Sequence, residues 1–405
     1  MDQIRARNQR ALIAVVQVAA LSCWFSASAV APGMQRELDL GTTGAVLLTS
    51  SVQVGFVVGA VASAALNLAD RVPTAGLYAV SAFLAAACTA LIPAVASGLP
   101  ETLSLRVLTG IALAGVYPVG MKLMASWSEP ARRGRALGLL VGALTLGSAV
   151  PQLIRGLRDL PWPGVLLAAA AVTAAGGLAA LLLVRPGPNL DTGRTHLQPA
   201  YALRMYRQRG PRLANLGYLG HMWELYALWT WLPTFVLLSQ QTGGGSTGPV
   251  VNLTSFLAIG VAGVLGCWLG GVASDRFGRA PAAVTAMVVS GTCCLLSPLF
   301  FGTPVGVLGC FLFVWGAAVI ADSAVFSTAL TETADQRFVG TALTAQTATG
   351  FLLTVVTIHV VPVLADAVGW QYVFLALAVG PLSGAVAMAR FGRARAEGTL
   401  LPARV

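Results

Sequence analysis

Long apolar runs alternate with short polar breaks along the whole chain. Twelve runs reach the ~20 residues that a helix needs to cross a hydrocarbon core of about 30 Å. They fall at 11–32, 44–66, 75–97, 103–127, 135–157, 163–184, 213–238, 250–273, 280–300, 304–330, 341–364 and 370–390. Strands of a transmembrane barrel alternate in shorter, less apolar segments, so the pattern predicts helices. The first run follows Arg5, Arg7 and Arg10 and closes on "SASAVA", the outline of a secretory signal. The chain beyond it is just as apolar, so the run is read as a retained first span.

The breaks repeat. Asp70-Arg71 after span 2 matches Asp275-Arg276 after span 8 at an offset of 205. Gly134 before span 5 matches Gly340 before span 11 at 206, and Trp162 matches Trp370 at 208. Such a period predicts two parallel six-span halves, a transporter architecture. The halves are 1–184 and 213–405, and a polar linker at 185–212 carries six arginines and one acid, Asp191.

Charge orients the spans. Of the 25 basic residues, 20 lie on the side of the N-terminus, which by the positive-inside rule predicts both termini and the linker in the cytoplasm of an inner or plasma membrane protein. Arg36, Arg158 and, near its surface, Arg155 belong to the opposite side. The net charge of +10 is this asymmetry, and no basic soluble domain suits nucleic acid. With 56% hydrophobic and 10% charged residues, the composition is that of an all-α polytopic membrane protein. The 45 glycines suit close helix packing. All six cysteines lie in apolar runs without metal spacing, so they read as packing residues, and no metal or cofactor is expected. HExxH and GxxxxGK[ST] are absent, which argues against a zinc hydrolase or an ATP-driven pump.

Gly271-x3-Asp275-Arg276-x-Gly278-Arg279 resembles the loop signature of the major facilitator superfamily. The first-half copy keeps Asp70 and Arg71 but has Leu66 and Pro73 at glycine positions and Thr74 at the last basic one. "RVLTGIALAGVYPVGMKLMASW", with Arg106-x3-Gly110, is similar to that family's fourth span. The glycine–proline signature of its drug/proton antiporters is not matched in span 5. The resemblance implies two pseudo-symmetric six-helix bundles, a cavity lined by spans 1, 4, 7 and 10, and a conformational latch at Asp275, Arg276 and Arg279 with a weaker one at Asp70 and Arg71. It also implies an intramembrane hydrogen-bonding or proton-linked role for Arg106.

Ionisable residues inside spans cost about 3 kcal/mol each on insertion scales and point to function. At about 1.5 Å per residue, His221, Glu224, Asp322 and Lys122 fall between the midplane and its cytoplasmic side, all on the spans that the resemblance places around the cavity. His221 sits one turn before Glu224 in "LGHMWELYALWTWLP", so a carboxylate–imidazole pair is available, the alternative being a histidine satisfied by backbone or water. Lys122, the single lysine, either snorkels to headgroups or pairs with Asp322 or Glu224. Trp24 and Trp231 wall the cavity or simply pack.

The expected function is secondary transport of a small organic or inorganic anion by a monomer, coupled to protons through Glu224 or Asp322. The alternative is proton-driven efflux of amphipathic or cationic compounds.

Overall fold

The computed structural model describes residues 2–129, 133–157, 160–190, 198–245 and 248–400. The described residues form helices, with short turns between them and no strand among them. In lipid every backbone N–H and C=O must find a partner within its own segment, and only a helix provides that for a single span. Ten helical segments are long and apolar enough to cross a membrane. The other two expected spans are also helical. Span 1 is broken into Asp2–Ala20 and Ser26–Glu37, and span 7 is one helix of 34 residues, Arg209–Thr242.

Three of the four expected cavity-lining spans are interrupted. Span 4 runs as Leu99–Leu113 and Tyr117–Ser126, and the break has a local cause. Pro118 has no N–H to donate, and its ring excludes the carbonyl four residues earlier, at Ala114. Span 10 runs as Val305–Ala321 and Ser323–Thr333, with Asp322 alone between the halves. Neither that break nor the one in span 1 contains a proline.

Small residues set the packing inside each half, and they do so twice. Gly55 and Gly59 of span 2 (Thr42–Ala65) lie against Val107 and Ile111 of span 4. Gly266 and Gly270 of span 8 (its last segment is Ala262–Phe277) lie against Ala317 and Ala321 of span 10. A Cβ added at Gly110 would stand 2.2 Å from the Val52 carbonyl oxygen, and one at Gly270 would stand 1.8 Å from that of Ala321. Backbones this close exclude any side chain at those positions. The repeated glycine spacing shows the two halves to be copies of one six-helix bundle.

The linker straps both bundles on the face where the chain begins, here called the terminal face. Trp127 Nε1 donates to Arg185 O, and the Gly187 and Asn189 amides donate to Ser126. Residues 191–197 of the expected linker lie outside the described residues. Beyond them Tyr201 is buried against Phe338, and its hydroxyl accepts from the Asp335 amide at 2.7 Å.

Candidate functional site: the interface between the bundles

The break in span 1 is built from a distance. Residues 21–25 leave the helical ladder, so their carbonyls need donors. Arg106 of span 4, fully buried, supplies them to two of the five, Cys23 and Trp24. Its Nη2 donates to Trp24 O at 2.6 Å, Nη1 to Cys23 O at 3.1 Å and Ser26 Oγ at 3.4 Å, and Nε to Leu48 O at 3.2 Å. A planar guanidinium with five N–H groups suits this spread of acceptors. The broken segment directs Trp24 and Phe25 into the space between the bundles. Trp24 packs on Phe56, Tyr226 and Phe351, and Phe25 packs on Tyr226 and Trp229. Spans 1 and 2 thus meet spans 7 and 11 in one aromatic constriction. Within it the indole N–H groups of Trp24 and Trp229 are buried without a hydrogen-bond partner.

A cavity lies on each side of the constriction. The inner one, toward the terminal face, has a volume of ≈ 90 Å³ and is bordered by Tyr117, Val141, Tyr218, Met222, Ser323 and Ser327. The outer vestibule holds ≈ 260 Å³ and is bordered by Thr49, Arg155, Thr230, Trp231 and Asn252, with Arg36 at its rim. No carboxylate lines it among the described residues. Span 5 (Arg133–Leu157) connects the two along one helical face. Leu137, Val141 and Leu144 border the inner cavity, Arg155 borders the vestibule, and Ser148 and Gln152 follow the same face between them. Both are buried, and Ser148 Oγ and Gln152 Oε1 lack partners. Arg155 Nη1 donates to Ala29 O, and Trp231 Nε1 donates to Ile358 O at 3.0 Å.

The structure separates the four titratable residues that the sequence places in one layer. His221 does not pair with Glu224. Its Nδ1 lies 2.8 Å from Asp322 Oδ1, across from span 7 to the break in span 10, with both side chains almost fully buried. The carboxylate oxygen stands off the axis of a well-formed hydrogen bond. Asp322 Oδ1 therefore remains without a hydrogen-bond partner, and the other ring nitrogen of His221, Nε2, has none either. The carboxylate also sits at the N-terminus of the half-helix Ser323–Thr333, where the helix dipole favours a negative charge. Next to it, Ser323, Ala324 and Ser327 border the inner cavity.

Glu224 turns away from the interface into the second bundle. Its Oε1 accepts from Ser290 Oγ at 2.5 Å, Trp315 Nε1 at 2.6 Å and Cys294 Sγ at 3.3 Å, joining spans 7, 9 and 10. Lys122 lies at the terminal end of span 4, where its Nζ donates to Ala69 O at 3.0 Å. It is brought to neither Glu224 nor Asp322.

On the terminal face Asp275 binds Arg135 of the first bundle at 2.9 Å, an ion pair across the two bundles, and Arg279 of its own bundle at 3.6 Å. Arg279 reaches on to Glu332 at 3.3 Å, and Arg395 holds the other oxygen of Glu332 at 2.7 Å. Gly278 has φ +95°, a conformation that favours glycine, whereas a Cβ at Gly271 would meet nothing. Arg276 stacks on Phe277 outside this network. Arg71 is exposed on the short helix Leu68–Arg71, and the side chain of Asp70 lies outside the described residues. Arg135, Glu332 and Arg395 are network members that the loop signature does not contain. The clue available in the sequence was their position at span ends facing the Asp275 loop.

Two six-span bundles meeting around a polar path closed by aromatics define a membrane transporter. The sequence profile of the Major Facilitator Superfamily matches residues 13–358, and the chain belongs to that family. Its family and fold are those of transporters, not of enzymes. The chain is similar to the "probable sulfoacetate transporter SauU" of Cupriavidus necator, 25% identical over 222 residues. That match spans 49% of this chain and 50% of the relative. The fold is that of the fucose:proton symporter FucP of E. coli, crystallised as a point variant, with TM-score 0.69 and 15% identity over 94% of this chain and 98% of that one.

Proposed function

We propose that the protein is a monomeric secondary transporter of a small organic anion in the inner or plasma membrane, with both termini cytoplasmic, working by alternating access and coupled to protons. The observation that carries the anion reading is the outer vestibule, which presents Arg155 and Arg36 and no carboxylate among its described lining residues. From Arg155 the path continues past Gln152 and Ser148 to the unpartnered N–H groups of Trp24 and Trp229. An anion arriving there satisfies donors that are otherwise left idle at a cost of about 1–3 kcal/mol each. The partial similarity to a transporter named for sulfoacetate agrees with this chemistry. A volume of ≈ 260 Å³ is small for a drug-sized compound. Efflux of lipophilic cations would want a carboxylate in the vestibule, whose described lining has none, and Glu224 is turned away from the interface.

His221 and Asp322 form the proposed proton couple. Asp322 forms the break in span 10 and His221 faces it from span 7, next to Ser323 and Ser327 of the inner cavity, so opening of the terminal face brings water to them. Glu224 serves as a clasp between spans 7, 9 and 10. Arg106 holds the break in span 1, Lys122 secures the turn after span 2, and Trp24 and Trp231 wall the path. The network at Asp275, Arg279 and Glu332, with Arg135, is the latch that closes the terminal face.

Countertransport in proteoliposomes tests the reading. Labelled sulfoacetate and small carboxylates are expected to exchange, and Arg155→Gln is expected to raise KM roughly 10-fold or more, as befits a lost hydrogen bond to a charged group. Exchange of lipophilic cations with no anion exchange refutes it.

A further inference from the structure

One cavity lies away from the proposed transport path. It is a groove of ≈ 670 Å³ on the terminal face of the second bundle, where the turn between spans 8 and 9 meets the end of span 12. Its polar end carries Arg279, Arg393 and Arg395 together with two carboxylates, Asp275 and Glu332. Arg279 and Arg395 are engaged with Glu332, but Arg393 makes no ion pair among the described residues. Its other wall is apolar, formed by Phe277, Pro281, Val284 and Ala389.

This apolar wall runs on into the surface that faces lipid. Spans 9 (Arg279–Phe300) and 12 (last segment Val379–Ala396) lie side by side, with Gly392 against Ala280 and Gly291 against Leu382. One turn deeper than Val284 and Ala389, Val288 and Val386 are 45% and 52% exposed, and Phe277 at the rim is 64% exposed. A soluble anion would use only the arginine end of such a groove. A molecule with an anionic phosphate head and hydrocarbon tails matches both ends.

We propose that this groove is a binding site for an anionic phospholipid of the leaflet on the terminal face, its phosphate held by Arg393 with Arg395 and its chains laid along spans 9 and 12. Guanidinium groups hold phosphate oxygens in paired hydrogen bonds, and basic pockets beside membrane helices select anionic headgroups. Because Arg279 and Arg395 also hold Glu332, occupancy of the groove bears directly on the latch.

The test is thermal unfolding of the full-length protein in uncharged detergent, titrated with phosphatidylglycerol, with phosphatidylcholine of the same chains, and with inorganic phosphate. Phosphatidylglycerol alone is expected to raise the midpoint. Arg393→Gln is expected to raise the lipid concentration for half-maximal effect about five-fold, the weight of one arginine at a membrane surface. Arg204→Gln, which removes an exposed arginine elsewhere on the same face, is expected to keep the wild-type response. An equal effect of phosphatidylcholine, or of inorganic phosphate, or an unchanged titration in Arg393→Gln overturns the assignment.

Discussion

Replacing Arg106 by methionine removes the guanidinium that donates to the Cys23 and Trp24 carbonyls at the break in span 1. The carbonyl of Trp24 then has no other donor among the described hydrogen bonds, and those of Cys23 and Leu48 lose a charged one. Orphaning a buried carbonyl costs about 1–3 kcal/mol, and each lost bond to a charged donor costs about 1.5–3 kcal/mol, for a total of roughly 4–9 kcal/mol. Against this, the variant no longer buries a cation at mid-span, which returns about 3 kcal/mol. The net expectation is a destabilisation of roughly 3 kcal/mol, a few degrees or more in the unfolding midpoint. Arg106→Lys should fall between, since an ammonium cannot reach four acceptors spread in a plane. Midpoints of purified variants, followed by Trp24-region fluorescence, provide the measurement. Transport per folded molecule should keep the wild-type pH profile, because in this arrangement Arg106 exchanges no proton. A methionine variant within about 0.5 kcal/mol of wild type, the scatter of neutral substitutions, refutes the reasoning. So does a stable variant whose pH profile moves.

Three further outcomes follow from the geometry. Gly270→Ala, whose Cβ would stand 1.8 Å from Ala321 O, should lower stability by about 1–3 kcal/mol or prevent folding. Gly271→Ala next to it, in open space, should not, and thermal midpoints compare the two. Arg135→Gln breaks the pair between the bundles, but with Arg135 69% exposed the change in stability should stay within about 1 kcal/mol. Its effect should appear in gating, as faster thiol labelling of a Ser327→Cys reporter in the inner cavity. At the turn between spans 10 and 11, hydrogen bonds from the Arg337 side chain hold the Asp335 carboxyl below its ordinary range. A lowered folded-state pKa stabilises this turn above the ordinary carboxylate range and loses that contribution as pH falls through the folded value. The protection of the Arg337 amide, its exchange relative to the unstructured rate at the same pH, should therefore fall only in acid, and Asp335→Asn should remove that fall.

The sequence located the spans well, because the length of an apolar run is fixed by the membrane and needs no knowledge of neighbours. Half-repeats were legible for the same local reason. In the sequence, spans 1 and 4 read as unbroken; the break in span 4 has a local cause in Pro118, whereas the break in span 1 depends on Arg106, 83 residues from Cys23, and no local pattern announces it. Position along a helix can be read from sequence for His221, Glu224 and Asp322, but direction around it cannot. His221 and Glu224 are 60° apart on their helix at 100° per residue, and packing sends one to span 10 and the other toward span 9. Lys122 has a stem long enough to leave its own level, and its position in sequence alone did not reveal that it ends at Ala69. The loop signature identified Asp275 and Arg279, yet their partners Arg135 and Glu332 belong to no motif.

The central claim is that the His221–Asp322 couple ties proton movement to the anion. Proteoliposomes loaded with a pH-sensitive dye and given an outward-directed gradient of sulfoacetate measure it directly. Wild-type protein should move protons with the substrate. Asp322→Asn should still exchange labelled sulfoacetate across the membrane while proton movement disappears. Proton movement that persists in Asp322→Asn, or that is absent from wild-type protein transporting the anion, contradicts the account.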